Sequence, residues 1–398
     1  MTGRIDKRAM AYLSGGHMAT DLSAGTLPAL LPFFKDRFHL SYTLAALLIL
    51  ASTFSSSIIQ PIFGHWSDRR RMVWLLPAGV CVAGIGIALG AVMPSYWLLL
   101  VCVVISGLGI AAYHPEASKC ASFASGDRRA SGMSLFSVGG NIGFGLGPVV
   151  AVPLVEWLGM AGGLLIAVPT TIIAGVLLRQ LPRFHEITTG TRARAVRDGE
   201  NDRRALVTLL SIITLRSVAV YALITFVPLY VVEQGHSKAY GSHLLAIMLL
   251  AGGAGTLLAG PTADRFGRRP LLTVSTAICA ACTAVFIVVG GVGGAAALAG
   301  VGICTIATYG VTTLMGQEYM PRNIGMASGL SIGLSIGLGG VAAVILGAVA
   351  DSIDLRTALW ITVAAPVAGV LLSFTLPPVG RKRSATAVTQ PLGATSID

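Results

Sequence analysis

The sequence predicts an all-helical membrane protein of twelve transmembrane helices, arranged as two pseudo-symmetric six-helix bundles. Three observations predict it. The chain is 54% hydrophobic and only 11% charged, with a mean hydropathy of +0.78, far from the balance of soluble domains. Apolar runs of about 20 residues, enough to cross a roughly 30 Å hydrocarbon layer as helix, recur along the chain and leave no room for a soluble domain. The first half also recurs in the second. G-x-x-x-D-R starts at Gly64 and again at Gly260, an offset of 196, and a Ser-Gly-x-Ser stretch starts at Ser131 and again at Ser328, an offset of 197. Two near-equal offsets over distant segments mark a six-plus-six repeat about an axis along the membrane normal.

The expected spans are 9–34, 41–66, 72–93, 95–120, 130–157 and 160–181, then 205–233, 240–266, 270–290, 294–318, 325–350 and 355–377. The halves are therefore 1–181 and 205–377. Between them lies a polar segment, 182–204, whose mixed charge and few apolar residues predict a flexible cytoplasmic linker, and 378–398 is a cytoplasmic tail. With both termini inside, 23 of the 28 Lys and Arg fall on the cytoplasmic side, as the positive-inside rule requires. The net charge of +11 then points to the anionic inner leaflet and needs no nucleic acid. The first span follows a basic start but is too long for a signal peptide and lacks a small-residue cleavage site, so it is expected to be retained. Cys279 and Cys282 form a C-x-x-C with no second pair, which predicts packing rather than a metal or redox role; no cofactor is expected.

Ionisable groups in hydrocarbon are costly and are functional candidates by default. His17 and Asp21 lie in span 1, His114 and Glu116 in span 4, Arg216 in span 7, and Glu318 in span 10; no other span interior holds Lys, Arg, Asp or Glu. Counted at ~1.5 Å per residue, Asp21 and Arg216 both fall near mid-membrane, and they are repeat mates within one residue. They could pair across a cavity, or compete for substrate or proton; a fixed salt bridge joining the halves is the structural alternative. His17 stands four residues before Asp21 on one helical face, placed either to relay a proton or to bond a backbone carbonyl. His114 and Glu116 lie about 200° apart around a regular helix, so only one can face a cavity. His114 is the better cavity candidate. Glu116 is within reach of Lys119 at i+3, and Glu116 and Glu318, both near cytoplasmic helix ends, read as gate or loop anchors. Asp68 with Arg69, and Asp264 with Arg265, follow spans 2 and 8, where each acid could meet a helix N-terminus or a neighbouring arginine; a solvated basic turn is the plainer reading. Gly143, Gly147 and Pro148 in span 5 favour close helix approach and a weak point. Asn141 could face the cavity or bond a neighbouring helix, and Ser55, Ser56 and Ser57 are expected to bond their own helix.

The repeated G-x-x-x-D-R loop resembles the signature of the major facilitator superfamily, over the whole chain. More specific are "GHMATD" from Gly16, "YHPEASK" from Tyr113, "FSVGGNIGFGLGP" from Phe136 and "GQEYMPRNIGMASGL" from Gly316, which together resemble the fosmidomycin-resistance branch of drug:proton antiporters. In the first-half loop Arg70 and Arg71 stand where the second half has Phe266 and Gly267, a departure from the pattern. The resemblance implies spans 1, 4, 7 and 10 around a central cavity, the Asp68 and Asp264 loops as a cytoplasmic latch, and Gly143, Gly147 and Pro148 as an antiporter motif. It implies export of a small drug-like substrate, a phosphonate in the fosmidomycin case, coupled to proton entry across a bacterial inner membrane by a monomer. In that scheme Asp21 carries the proton with His17 beside it, while Arg216, His114 and Asn141 meet substrate, because a guanidinium pairs bidentately with oxyanions. A proton-coupled uptake symporter for a small organic anion is the same-fold alternative. An intramembrane enzyme lacks H-E-x-x-H and G-x-S-x-G, and a channel lacks a charge ring or filter loop, so neither enzyme nor channel is expected.

Overall fold

The computed structural model describes residues 5–60, 62–63, 66, 72–126, 129–189, 200–320, 327 and 330–377. Among these, every regular element is a helix. The first six spans are α1 (Lys7–Phe38), α2 (Tyr42–Thr53, carried on by a π turn at Phe54–Ile58), α3 (Leu75–Val92), α4 (Tyr96–Ala124), α5 (Arg129–Leu158) and α6 (Ala167–Arg179, led in by a 3-10 stretch Gly159–Ile166). The second six are α7 (Arg203–Glu233), α8 (Lys238–Phe266), α9 (Arg268–Val289), α10 (Gly291–Thr305, broken at Ile306–Thr308 and resumed at Tyr309–Tyr319), α11 (Ser335–Ser352, after a π turn Leu330–Leu334) and α12 (Leu355–Ser373). Side chains of Asp6, Ser41, Ser95, Asp202, Ser237 and Asp354 cap the starts of α1, α2, α4, α7, α8 and α12, satisfying amide hydrogens that a helix start leaves free.

Eight helical stretches are long and apolar enough to cross a membrane, and one of them, Gly132–Arg179, is long enough for two spans. The apolar parts of α2 and α11 are shorter. α1 has the length but is less apolar, since His17, Asp21 and a run of Ser, Thr and Gly lie in it. The most polar span is the one that carries the site.

Within the first half α1 packs on α5 and α4, and α3 on α4 and α6; within the second, α7 packs on α11 and α12, and α9 on α10 and α12. Two seams join the halves, α2 against α11 and α5 against α8. Small residues make these approaches close. Gly143 and Gly147 of α5 sit on the α1 backbone at Met18 and Gly25, where any Cβ would collide. On α11, Gly347 lies where a Cβ would come 2.9 Å from the Thr43 Cα.

The buried core is not evenly distributed. One apolar cluster spans both halves, running from Leu30 and Leu48 to Phe226, Leu249 and Leu346. Two further clusters are confined to one half each, around Met10, Tyr113 and Phe184 in the first and around Leu209, Met315 and Tyr319 in the second. These separate clusters lie toward the face holding both chain ends, where Asp6 N–H donates to Ala124 O at 2.8 Å and the Tyr319 hydroxyl to Pro377 O at 2.7 Å. The molecule is thus sealed on the face opposite the termini and divided on the terminal face. Sealing contacts cross between halves: Lys238 Nζ meets Asp36 Oδ2 at 2.5 Å, and the Asp351 carboxylate accepts from the Tyr42 and Thr43 amides at 2.6 and 2.9 Å.

One expectation is corrected. The linker does not start as a flexible chain, because Leu181–Thr189 is a helix whose Phe184 is fully buried in the first-half cluster and whose Arg183 pairs with Asp6 at 2.8 Å. Phe184 and Ile187, three apart, make an apolar stripe that a reading by charge composition passes over. Residues 190–199 and the tail 378–398 lie outside the described residues.

Candidate functional site

Where the halves divide, a cavity of about 430 Å³ opens, with His17 and Asp21 of α1, Ser56 in the π turn that carries α2 on, Gln60 just after it, His114 of α4 and Tyr221 of α7 on its wall. His17 Nε2 lies 3.3 Å from Asp21 Oδ2, and His114 Nε2 lies 3.1 Å from Asp21 Oδ1. The carboxylate is thus held between two imidazoles, one from its own helix and one from α4. These meet although α4 runs antiparallel to α1: Asp21 lies ~21 Å from the start of α1 and His114 ~15 Å from the end of α4, at 1.5 Å per residue. α4 runs as one helix through Pro115.

Surrounding groups fix the rings. His17 Nδ1 lies 2.9 Å from Phe136 O, and a carbonyl only accepts, so Nδ1 carries a hydrogen. The ring also stacks on Phe136, with centroids 4.2 Å apart. His17 therefore bonds a backbone carbonyl and faces Asp21 at the same time, combining the two roles that sequence left as alternatives. Gln60 Nε2 stands 3.4 Å from His114 Nδ1. Gly140 of α5 closes the far side: a Cβ there would come 2.5 Å from His17 Cε1 and 2.7 Å from Asp21 Oδ2. With Nδ1–H committed, a neutral His17 would aim its Nε2 lone pair at Asp21 Oδ2 across 3.3 Å, two acceptors face to face. A positive charge between them, such as a proton on Nε2, resolves the conflict.

Arg216 and Asp21 do not pair, which removes the paired arrangements, across the cavity or as a fixed salt bridge, from the alternatives the sequence leaves open. Arg216 is 5% exposed and donates to Cys304 O at 2.8 Å and to Thr308 Oγ1 at 2.5 Å. The break in α10 at Ile306–Thr308 frees carbonyls of the preceding turn, and the guanidinium caps them there, away from the cavity wall. Of the two places open to Asn141, the cavity or a bond to a neighbouring helix, the structure shows the second: it donates to Thr256 Oγ1 of α8 at 3.2 Å, in the α5–α8 seam. Glu116 is fully buried and meets Lys119 Nζ at 2.7 Å, facing away from His114's cavity. Glu318 pairs with Arg268, joining the end of α10 to the start of α9. Arg265 is exposed. Asp68 and Arg69 lie outside the described residues, as does the side chain of Asp264. Pro148 O accepts from Ser242 Oγ of α8 at 3.2 Å, and Ser55 Oγ donates back to Ala51 O at 2.7 Å.

Gln60, Phe136, Gly140 and Tyr221 were not singled out from sequence. A search restricted to ionisable residues passes over Gln60, and Phe136 and Gly140 lie inside a quoted motif whose glycines were read for helix packing.

The profile of the Major Facilitator Superfamily matches residues 13–343. The chain belongs to the Major Facilitator Superfamily. It is a multi-pass membrane transporter. It is 31% identical over 378 residues to an uncharacterized MFS-type transporter of Bacillus subtilis, YfnC, covering 91% of this chain and 90% of that one. It is 28% identical over 381 residues to the fosmidomycin resistance protein of Escherichia coli, covering 92% of each. Among solved structures, a bacterial homologue of the human lysosomal transporter Spinster superposes with a TM-score of 0.74 at 15% identity, covering 93% of this chain and 96% of that one, a likeness of fold. In this facilitator the two histidines and the aspartate occupy α1 and α4, two of the spans expected to enclose the cavity.

Proposed function

We propose that this transporter exports a small drug-like molecule, of the anionic phosphonate class, in exchange for protons by alternating access. The observation that carries the reading is the His17–Asp21–His114 cluster on the wall of a cavity between the halves, whose lone pairs call for a proton. The relative named for fosmidomycin resistance supports efflux and the substrate class.

In the state described, the cavity opens toward the terminal face, which the arginine distribution makes cytoplasmic. Substrate enters there; an anionic group draws on His114, which faces the cavity, while Arg216 holds the α10 break. Rocking of the halves then exposes the cluster to the opposite side, where a proton replaces the substrate. The protein works as a monomer in a bacterial inner membrane, with Glu116, Glu318 and the Asp68 and Asp264 loops holding the cytoplasmic helix ends, and it catalyses no chemical step.

Everted membrane vesicles energised by respiration test this. Radiolabelled fosmidomycin accumulates inside vesicles that carry the protein, and a protonophore abolishes the accumulation. Accumulation that persists with the protonophore, or fails only in vesicles that hold a proton gradient, contradicts the exchange.

A further inference from the structure

We propose that His17, Asp21 and His114 together form a binding site for one divalent late-transition cation of the Zn²⁺ class. The three side chains offer ligand atoms that all lie within 4.8 Å of one another. Two imidazoles and one carboxylate are a donor set that zinc uses where it keeps an open fourth position. The imidazole–carboxylate separations, 3.3 Å to one carboxylate oxygen and 3.1 Å to the other, are near the ~3.3–3.4 Å edge of a tetrahedron built on bonds of ~2.0–2.1 Å, and the widest ligand separation, up to 4.8 Å, would close by side-chain rotation as the cation binds. His17 and Asp21, four residues apart on α1, supply one edge, and His114 reaches in from α4, so the cation would tie the two helices together.

The supporting groups are those a metal site requires. Metal-bound histidines donate their other ring N–H to a carbonyl or amide, which fixes the ring and frees the ligating nitrogen. His17 does this through Nδ1 to Phe136 O at 2.9 Å. His114 faces the Gln60 side-chain amide through Nδ1 at 3.4 Å, and with that amide turned by 180° its oxygen accepts from Nδ1–H, leaving Nε2 for the metal. Gly140, with no side chain to intrude, leaves the space between His17 and Asp21 clear. The fourth position opens on the cavity of about 430 Å³, where water or a solute donor completes the shell. Two imidazole nitrogens select Zn²⁺, Cu²⁺, Ni²⁺ and Co²⁺ over Mg²⁺ and Ca²⁺, which take oxygen ligands. The inference rests on the geometry of the cluster and not on the identity of the exported substrate.

Co²⁺ is the probe, added to the purified full-length protein freed of affinity-tag histidines, in detergent and without drug or gradient. The expected result is one equivalent bound with the strong visible bands of four-coordinate Co²⁺, displaced by Zn²⁺ and untouched by excess Mg²⁺. His114→Gln and His17→Gln each weaken binding tenfold or more, while His243→Gln leaves it unchanged. Because a variant can misfold, the wild-type protein is also loaded with Cu²⁺ and read by electron paramagnetic resonance, where imidazole-nitrogen couplings are expected. The proposal is overturned if wild type binds no Co²⁺ or shows no nitrogen coupling, if both histidine variants bind as wild type does, or if Mg²⁺ displaces the probe. Efflux plays no part in the readout, so absent metal binding leaves the transport reading standing, and absent efflux leaves the metal result interpretable.

Discussion

At Gly140 the site depends on an atom that is missing. A Cβ there enters the space of His17 and Asp21, so Gly140→Val is expected to push the pair apart while the helix, which tolerates valine, still forms. The expected outcome is a loss of at least ~tenfold in proton-coupled transport, equivalent to about 1.4 kcal/mol, with the monodisperse yield of purified protein retained; unchanged transport in proteoliposomes would show that the pair has room to spare. The same scale shows what sequence could and could not reveal. Asp21, His17 and His114 were legible because a charge in hydrocarbon is expensive and therefore placed for a reason. That Arg216 caps the α10 break rather than answering Asp21 was not, since a break in a helix interior leaves no mark as plain as a charge. Gly140 was hidden among 49 glycines.

Among the elements, the α2–α11 seam carries a lock that a carboxylate closes. Asp351 accepts from the Tyr42 and Thr43 amides and the Thr43 hydroxyl, sitting on the positive end of α2. Burial alone would raise its pKa, but the Thr43 hydroxyl and the two amides hold it below the ordinary carboxylate value. A depressed folded value means that the lock is fully present above the unfolded value of about 3.9 and is lost as pH falls through the lower folded value. Cysteine labelling near Tyr42 is therefore expected to stay slow from neutral pH down to about 4, and to become fast at neutral pH in Asp351→Ala. Fast labelling already at pH 6 in wild type would contradict the assignment. Most described element boundaries lie within about four residues of the apolar runs, while the expected end of span 2 and start of span 11 fall in stretches only partly described, and the helix at Leu181–Thr189 was missed because its single apolar stripe sits inside a basic segment.

For the whole molecule, the division of the core fixes which side is open. One cluster seals both halves together on the face opposite the termini, and separate clusters flank the cavity on the terminal face. Linking Asp36 and Lys238 covalently, as an Asp36→Cys and Lys238→Cys pair, is expected to hold this state, so that substrate still binds but net transport falls to background and returns on reduction. Transport that continues through the cross-link would mean that the sealed face need not open. The twelve-span, two-bundle plan was readable from offsets of 196 and 197, because a repeat constrains the whole chain at once, whereas the conformation is a property of packing that no single residue announces. In the proposed exchange, the cluster around Asp21 trades a proton for substrate. Proton release from purified protein in weakly buffered liposomes on adding fosmidomycin tests it most directly, with wild type, Asp21→Asn and His114→Ala side by side. Release is expected from wild type, none from Asp21→Asn and a weakened response from His114→Ala; release from Asp21→Asn equal to that of wild type would rule the exchange out.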